Sequence, residues 1–103
     1  MDIIWLPLAK SALENIYFFY AKHSVAVAKR MIVNIKQDVK MLSIFPEMAE
    51  REKFLNDFPQ DFRSLVVCRR KKKHKVVYFM KNNIVYIADI WDCRQDPDFL
   101  QED

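Results

Sequence analysis

The chain has 103 residues, 51% of them hydrophobic, which predicts one domain over residues 1–103 with a single packed core. Charged side chains interrupt the apolar first half, so no segment approaches the roughly 18 uninterrupted apolar residues of a membrane span. The formal net charge of +3 is compatible with an anionic partner without demanding one.

The cysteines and the N-terminus indicate a reduced, cytoplasmic protein. Cys68 and Cys93 form no CxxC motif and have no histidine cluster beside them, so we expect free thiols, no metal and no cofactor. The first residues lack the basic start and small-residue cleavage site of a secretory signal, so we expect a cytoplasmic location.

The N-terminal segment predicts a strand that leads directly into a helix. The run Ile3–Leu6 is rich in β-formers, and Pro7 is well placed in the first turn of a helix. Apolar residues then recur every three or four positions, which predicts an amphipathic helix from about Pro7 to Ala21. The apolar positions of this stripe are Leu8, Ala12, Leu13, Ile16, Tyr17 and Tyr20.

A second helix follows after a short break. Ser24 is a suitable N-cap, and Pro46 stops the helix at its far end. Because the link is so short, the two helices should fold back on each other as an antiparallel hairpin. The seam that the second helix buries is predicted to be Ala28, Ile32, Ile35, Val39 and Leu42.

The C-terminal half predicts a loop followed by strands. Residues 46–61 mix charge with isolated Phe54 and Phe58, which indicates a loop anchored by these two aromatic side chains. The chain contains no glycine, and Asn82-Asn83 is the pair that best tolerates the positive φ of a tight hairpin turn. The β-rich runs are Phe62–Cys68, Lys75–Met80 and Ile84–Trp91.

The order of these elements predicts an α+β fold. An antiparallel helical hairpin should pack on one face of an antiparallel sheet. The sheet should end in a C-terminal three-strand meander, and the N-terminal strand should join it at an edge.

Several segments form a recognisable pattern along the chain: Ile4-Trp5, Pro7, Ala9, Leu13, Ile16, Tyr20, Phe62-Arg63-Ser64-Leu65, Val76-Val77-Tyr78 and residues 87–97. Together they resemble the RelE/ParE superfamily of toxins from type II toxin-antitoxin systems. The resemblance covers nearly the whole chain and is most specific near Arg94. It implies a bacterial toxin that is neutralised by a cognate antitoxin, makes no membrane contact, and contacts DNA only through the antitoxin complex.

Members of this superfamily differ in target, so the fold leaves two mechanisms open. Some cleave messenger RNA on the ribosome, and others inhibit DNA gyrase without breaking a bond themselves. By similarity to the ribosome-dependent branch, Arg63, Lys75 and Arg94 are the expected phosphate contacts of a metal-independent endoribonuclease. A structural alternative stands beside each of them: an ion pair for Arg63 with Asp61, a solvated hairpin for Lys75, and neighbouring carboxylates for Arg94.

The sequence departs from the ribonuclease pattern after Arg94. Ribonuclease members usually place a Tyr or His shortly after the last arginine, whereas this chain continues as Gln95-Asp96-Pro97-Asp98-Phe99, which has no titrating ring. We take messenger RNA cleavage as the first hypothesis. Gyrase inhibition is the second, and a degenerate, non-toxic binding module is the third.

A run of basic residues lies between two predicted strands. A solvated hairpin tip is the default interpretation of such a run, and a loop that contacts nucleic acid is the functional one. The residues assigned to this loop are Arg69, Arg70, Lys71, Lys72 and Lys73.

Overall fold

The structure, a computed structural model, describes residues 1–93, which form two helices and five strands. Neither helix is both long and apolar enough to cross a lipid bilayer. In chain order the elements are β1 (Asp2–Trp5), α1 (Pro7–Ala21), α2 (Val25–Lys40), β2 (Glu50–Arg51), β3 (Arg63–Arg69), β4 (Lys72–Lys81) and β5 (Ile84–Asp92).

The helical hairpin forms where the sequence predicts it. Helix α1 has Pro7 in its first turn and ends at Ala21, as expected. Helix α2 is capped by Ser24, whose hydroxyl accepts a hydrogen bond from the backbone N–H of Val27 at 3.2 Å. This bond satisfies one of the donors that a helix N-terminus leaves unpaired. A single 3₁₀ turn, Met41–Ser43, continues α2 before Pro46.

The five strands form one mixed sheet in the order β1-β5-β4-β3-β2. Strand β1 lies at an edge, as predicted, and pairs in parallel with β5, whereas the other pairs are antiparallel. The β4–β5 turn holds Asn82 and Asn83 at φ 53° and 62°, which confirms the predicted turn. The β3–β4 turn is equally tight but places Arg70 and Lys71 at φ 51° and 66°.

The helices cover one face of the sheet and leave the other open. On the covered face, alternate strand residues pack against the helical hairpin, as the period of two in a strand requires. This packing confirms the predicted α+β architecture. The fully buried residues of the core are Ala9, Ala28, Ile35, Leu42, Val76, Tyr78, Val85 and Ile87.

The segment between α2 and β3 differs from its prediction. Phe54 and Phe58 are 74% and 55% exposed, so the expectation that they anchor a loop is wrong. Ala49 and Glu52 are buried instead, and β2 pairs with the start of β3. The segment is therefore held by backbone pairing and polar contacts.

Candidate functional site

Arg63 lies at the first position of β3, on the same face as the buried Leu65 and therefore on the covered face of the sheet. Its Nη1 donates a hydrogen bond to the carbonyl oxygen of Ala49 at 2.7 Å and a longer one to that of Glu47 at 3.5 Å. Its Nη2 lies 3.9 Å from Oδ2 of Asp61. The side chain is 16% exposed, so the guanidinium braces the segment before β2.

Tyr78 reinforces this bracing. It is the cross-strand partner of Arg63 in β4, is fully buried, and donates its hydroxyl to the carbonyl oxygen of Pro46 at 2.8 Å. Burial raises the pKa of Tyr78 above its ordinary value, against the opposing effects of the Ala49 backbone and the Arg63 charge. The hydroxyl therefore stays a hydrogen-bond donor at neutral pH.

Lys75 lies on the open face of the sheet, opposite Val66 of β3. Its Nζ is 3.3 Å from Oε1 of Glu52, a carboxylate that is 3% exposed. Nζ also lies 5.7 Å from the centre of the Phe54 ring. Ser64 donates a weak hydrogen bond to the same carboxylate at 3.5 Å. These groups form one wall of a cleft of about 410 Å³.

The structure does not bring Arg63 and Lys75 together. Arg63 points to the covered face and Lys75 to the open face, because their positions in the β3–β4 register differ by an odd number of residues. Each cation is already bound, to backbone carbonyls or to a carboxylate. Arg94 lies outside the described residues. Within residues 1–93, no three His, Cys, Asp or Glu side chains are placed to hold a metal ion.

The basic run is part of the β3–β4 hairpin itself, because β4 begins at Lys72 and not at Lys75 as predicted. Its side chains therefore alternate between the two faces. Arg69 reaches Oδ1 of Asp38 on α2 at 2.9 Å, and Nζ of Lys72 lies 5.2 Å from the centre of the Tyr20 ring. Lys73 alternates to the open face with Cys68, its partner in β3.

An aromatic row on the open face is the feature that the sequence analysis missed. Ring centres are 6.0 Å apart between Phe58 and Phe62, 5.4 Å between Phe62 and Phe79, and 5.2 Å between Phe79 and Tyr86. The first two contacts are edge-to-face and the last is stacked. The register of β4 with β5 brings Phe79 opposite Tyr86. Because the predicted turn at Asn82-Asn83 sets that register, the sequence contained enough information to predict this pair.

A groove of about 540 Å³ lies between β1 and the two helices. Its floor is apolar and includes Ile3 and Trp5 of β1. Lysines outnumber acidic residues around it. The side chains contributed by the helices are Lys10, Leu13, Glu14, Lys36, Val39 and Lys40.

The protein is thus a small α+β protein, and residues 1–93 present clefts and exposed aromatic side chains to which a partner could bind. Among solved structures, the chain resembles "Chromosomal ParDE TA system from P. aeruginosa", with 22% identity and a TM-score of 0.71. The alignment covers 89% of this chain and 95% of that one, and it shows a shared fold. No curated protein sequence matches the chain.

The family is shown by the sequence itself. The family model described as "ParE toxin of type II toxin-antitoxin system, parDE" matches residues 3–97. The chain therefore belongs to the ParE toxin family, within the RelE/ParE superfamily that the sequence resembles.

Proposed function

We propose that this toxin acts by binding DNA gyrase and not by cutting messenger RNA. The observation that carries the proposal is the separation of Arg63 and Lys75 onto opposite faces of the sheet. Cleavage of a phosphodiester needs cations positioned together around one phosphate. With both cations tied to other groups, and with no Tyr or His shortly after Arg94, the ribonuclease hypothesis has the weaker support.

The open face of the sheet is suited to binding a protein partner without catalysing a reaction. Aromatic side chains are enriched in protein interfaces, where they bury a large area with few rotatable bonds. The row Phe58, Phe62, Phe79 and Tyr86 offers such a surface, and Phe58 is more than half exposed. We place target recognition on this row, together with Arg94 in the segment that follows β5.

The groove beside β1 suits the antitoxin. Its apolar floor fits the apolar side of an amphipathic segment, and its three lysines favour acidic residues at the edges. The similar structure from P. aeruginosa is that of a toxin-antitoxin system, and we extend that partnership to this chain. The antitoxin would then be an acidic or amphipathic protein that covers the toxin in its resting state.

Expression in cells without an antitoxin tests the proposal. We expect growth arrest together with a loss of negative supercoiling of a reporter plasmid, and primer extension should show no new cuts in cellular messages. Cuts at codon boundaries would contradict the proposal and restore Arg63, Lys75 and Arg94 as the ribonuclease site. Normal growth with the folded chain present would instead support the degenerate binding module.

A Phe58→Ser variant localises the contact. Phe58 is 55% exposed, so its replacement should leave the free energy of unfolding nearly unchanged while weakening growth arrest. Val33→Ser on α2 is the matched control, because Val33 is 50% exposed and lies away from the open face. Equal toxicity of the two variants would remove the aromatic row from the target-binding surface.

A further inference from the structure

A small pocket of about 160 Å³ lies between α2 and the β3–β4 turn. None of the described residues that line it is acidic. Four are cationic and one is an amide, and they come from two separate elements. The polar lining residues are Arg30 and Asn34 from α2, and Arg69, Arg70 and Lys72 from the hairpin.

The contacts around the pocket leave its charge largely uncompensated. Asp38 binds Arg69 at 2.9 Å and so neutralises one of the four cations. Lys72 contacts the π face of Tyr20, which keeps its ammonium beside the pocket without neutralising it. The three remaining like charges around so small a volume repel one another, and an anion in the pocket would relieve that repulsion.

The β3–β4 turn holds Arg70 in a backbone conformation that disfavours residues other than glycine. Arg70 has φ 51°, in the left-handed region, which costs a non-glycine residue roughly 1 kcal/mol. The β4–β5 turn meets the same requirement with Asn82 and Asn83, which tolerate it far better. The turn beside the pocket therefore carries a guanidinium at a conformational cost.

The distribution of charge along the chain points to an extended anion. Residues 69–75 contain six of the 17 basic residues of the chain and no acidic one. Outside this segment the 14 acidic residues outnumber the remaining basic ones. A single carboxylate or a single backbone phosphate would neutralise one cation of the pocket, but a nucleic-acid backbone also brings its next phosphates to the neighbouring cations of residues 69–75.

We propose that this pocket binds a phosphate group of a nucleic-acid backbone, with Arg30 and Arg70 as its principal ligands. The guanidinium groups donate paired hydrogen bonds to phosphate oxygens, and Asn34 supplies a neutral donor. This assignment gives a phosphate contact to only some members of the basic run that the sequence predicted as a nucleic-acid-binding loop. Arg69, Arg70 and Lys72 line the pocket together with Arg30 of α2, which the sequence did not indicate, while Lys71 and Lys73 lie outside it.

Fluorescence anisotropy with the full chain tests this assignment. The probes are a labelled single-stranded RNA and a labelled duplex DNA of equal length. Arg30→Ala should weaken binding about tenfold, because it removes a charge-assisted hydrogen bond. It should also make the negative slope of log K against log salt concentration shallower, by roughly 0.9 for the duplex or 0.7 for the single strand.

Lys29→Ala is the matched control. Lys29 precedes Arg30 on α2, is exposed, and carries the same charge, but it does not line the pocket. Its loss should change the affinity by no more than about twofold at physiological salt, where exposed charges are screened. Thermal melting of both variants checks the fold.

Three results would overturn the assignment: equal effects of the Arg30 and Lys29 substitutions, no binding of either probe, or competition by polyglutamate as strong as by unlabelled RNA. The last would make the pocket a docking site for an acidic protein. Tighter binding of one probe identifies the source of the phosphate. The inference does not rest on gyrase inhibition, because a chain that binds RNA through Arg30 and does not arrest growth removes only the proposed function.

Discussion

The ion pair between Lys75 and Glu52 is expected to stabilise the fold, and Lys75→Met tests that expectation. The substitution keeps an unbranched side chain one atom shorter and removes its charge. Within residues 1–93, the buried Glu52 carboxylate then keeps the 3.5 Å hydrogen bond from Ser64 but has lost its cation. Removal of one partner from a fully buried pair costs about 3–5 kcal/mol. Lys75 is 21% exposed and the contact is 3.3 Å, so we expect a smaller cost than for a fully buried pair, about 2–3 kcal/mol.

Urea denaturation of the single and double variants measures this coupling. Glu52→Gln should lower the cost of Lys75→Met, so that the double variant is more stable than the sum of the single effects by at least about 1 kcal/mol. Lys81→Met is the control, because Lys81 is an exposed cation at the other end of β4. Equal denaturation midpoints for Lys75→Met and Lys81→Met would refute the reasoning, and a folded but non-toxic Lys75→Met variant would return Lys75 to the functional site.

Three further predictions concern the covered face and the C-terminal segment. Arg63→Ala should lower the free energy of unfolding by about 2 kcal/mol, since it removes the charge-assisted bond to Ala49, and an unchanged urea midpoint would contradict this. Because burial raises the pKa of Tyr78, its contribution to stability is complete below the unfolded value near 10 and is lost as pH rises through the folded value. Above pH 10, the melting temperature should therefore fall less steeply with rising pH for Tyr78→Phe than for the unaltered chain. Parallel plots of melting temperature against pH for the two proteins would contradict this prediction. Arg94→Ala should abolish growth arrest while the melting temperature is unchanged, and full toxicity would exclude Arg94 from target binding.

Much of the fold follows from local signals in the sequence. The bounds of α1 could be predicted because Pro7 fixes its start and the apolar stripe continues to Tyr20, one residue before the helix ends. The β4–β5 turn could be predicted because a chain without glycine leaves asparagine as the usual residue for positive φ. The parallel pairing of β1 with β5 could not, since it joins segments about 80 residues apart and has no local signature.

In the charged segments, the sequence did not reveal the secondary structure. The first residues of β4 and the turn at Arg70-Lys71 read as a basic loop, because strand periodicity shows only where apolar and polar residues alternate. The same limit affected the candidate site. Arg63 and Lys75 are both cationic, but whether they share a face depends on the register of β3 with β4, and the position of the turn sets that register.

The most direct test of the proposed function is a supercoiling assay with purified gyrase, relaxed plasmid and the purified toxin. We expect the toxin to block the introduction of negative supercoils, and prior addition of an equimolar cognate antitoxin should restore the activity. Unimpaired supercoiling at saturating toxin, together with cleavage of messenger RNA on programmed ribosomes by the same preparation, would contradict the proposal.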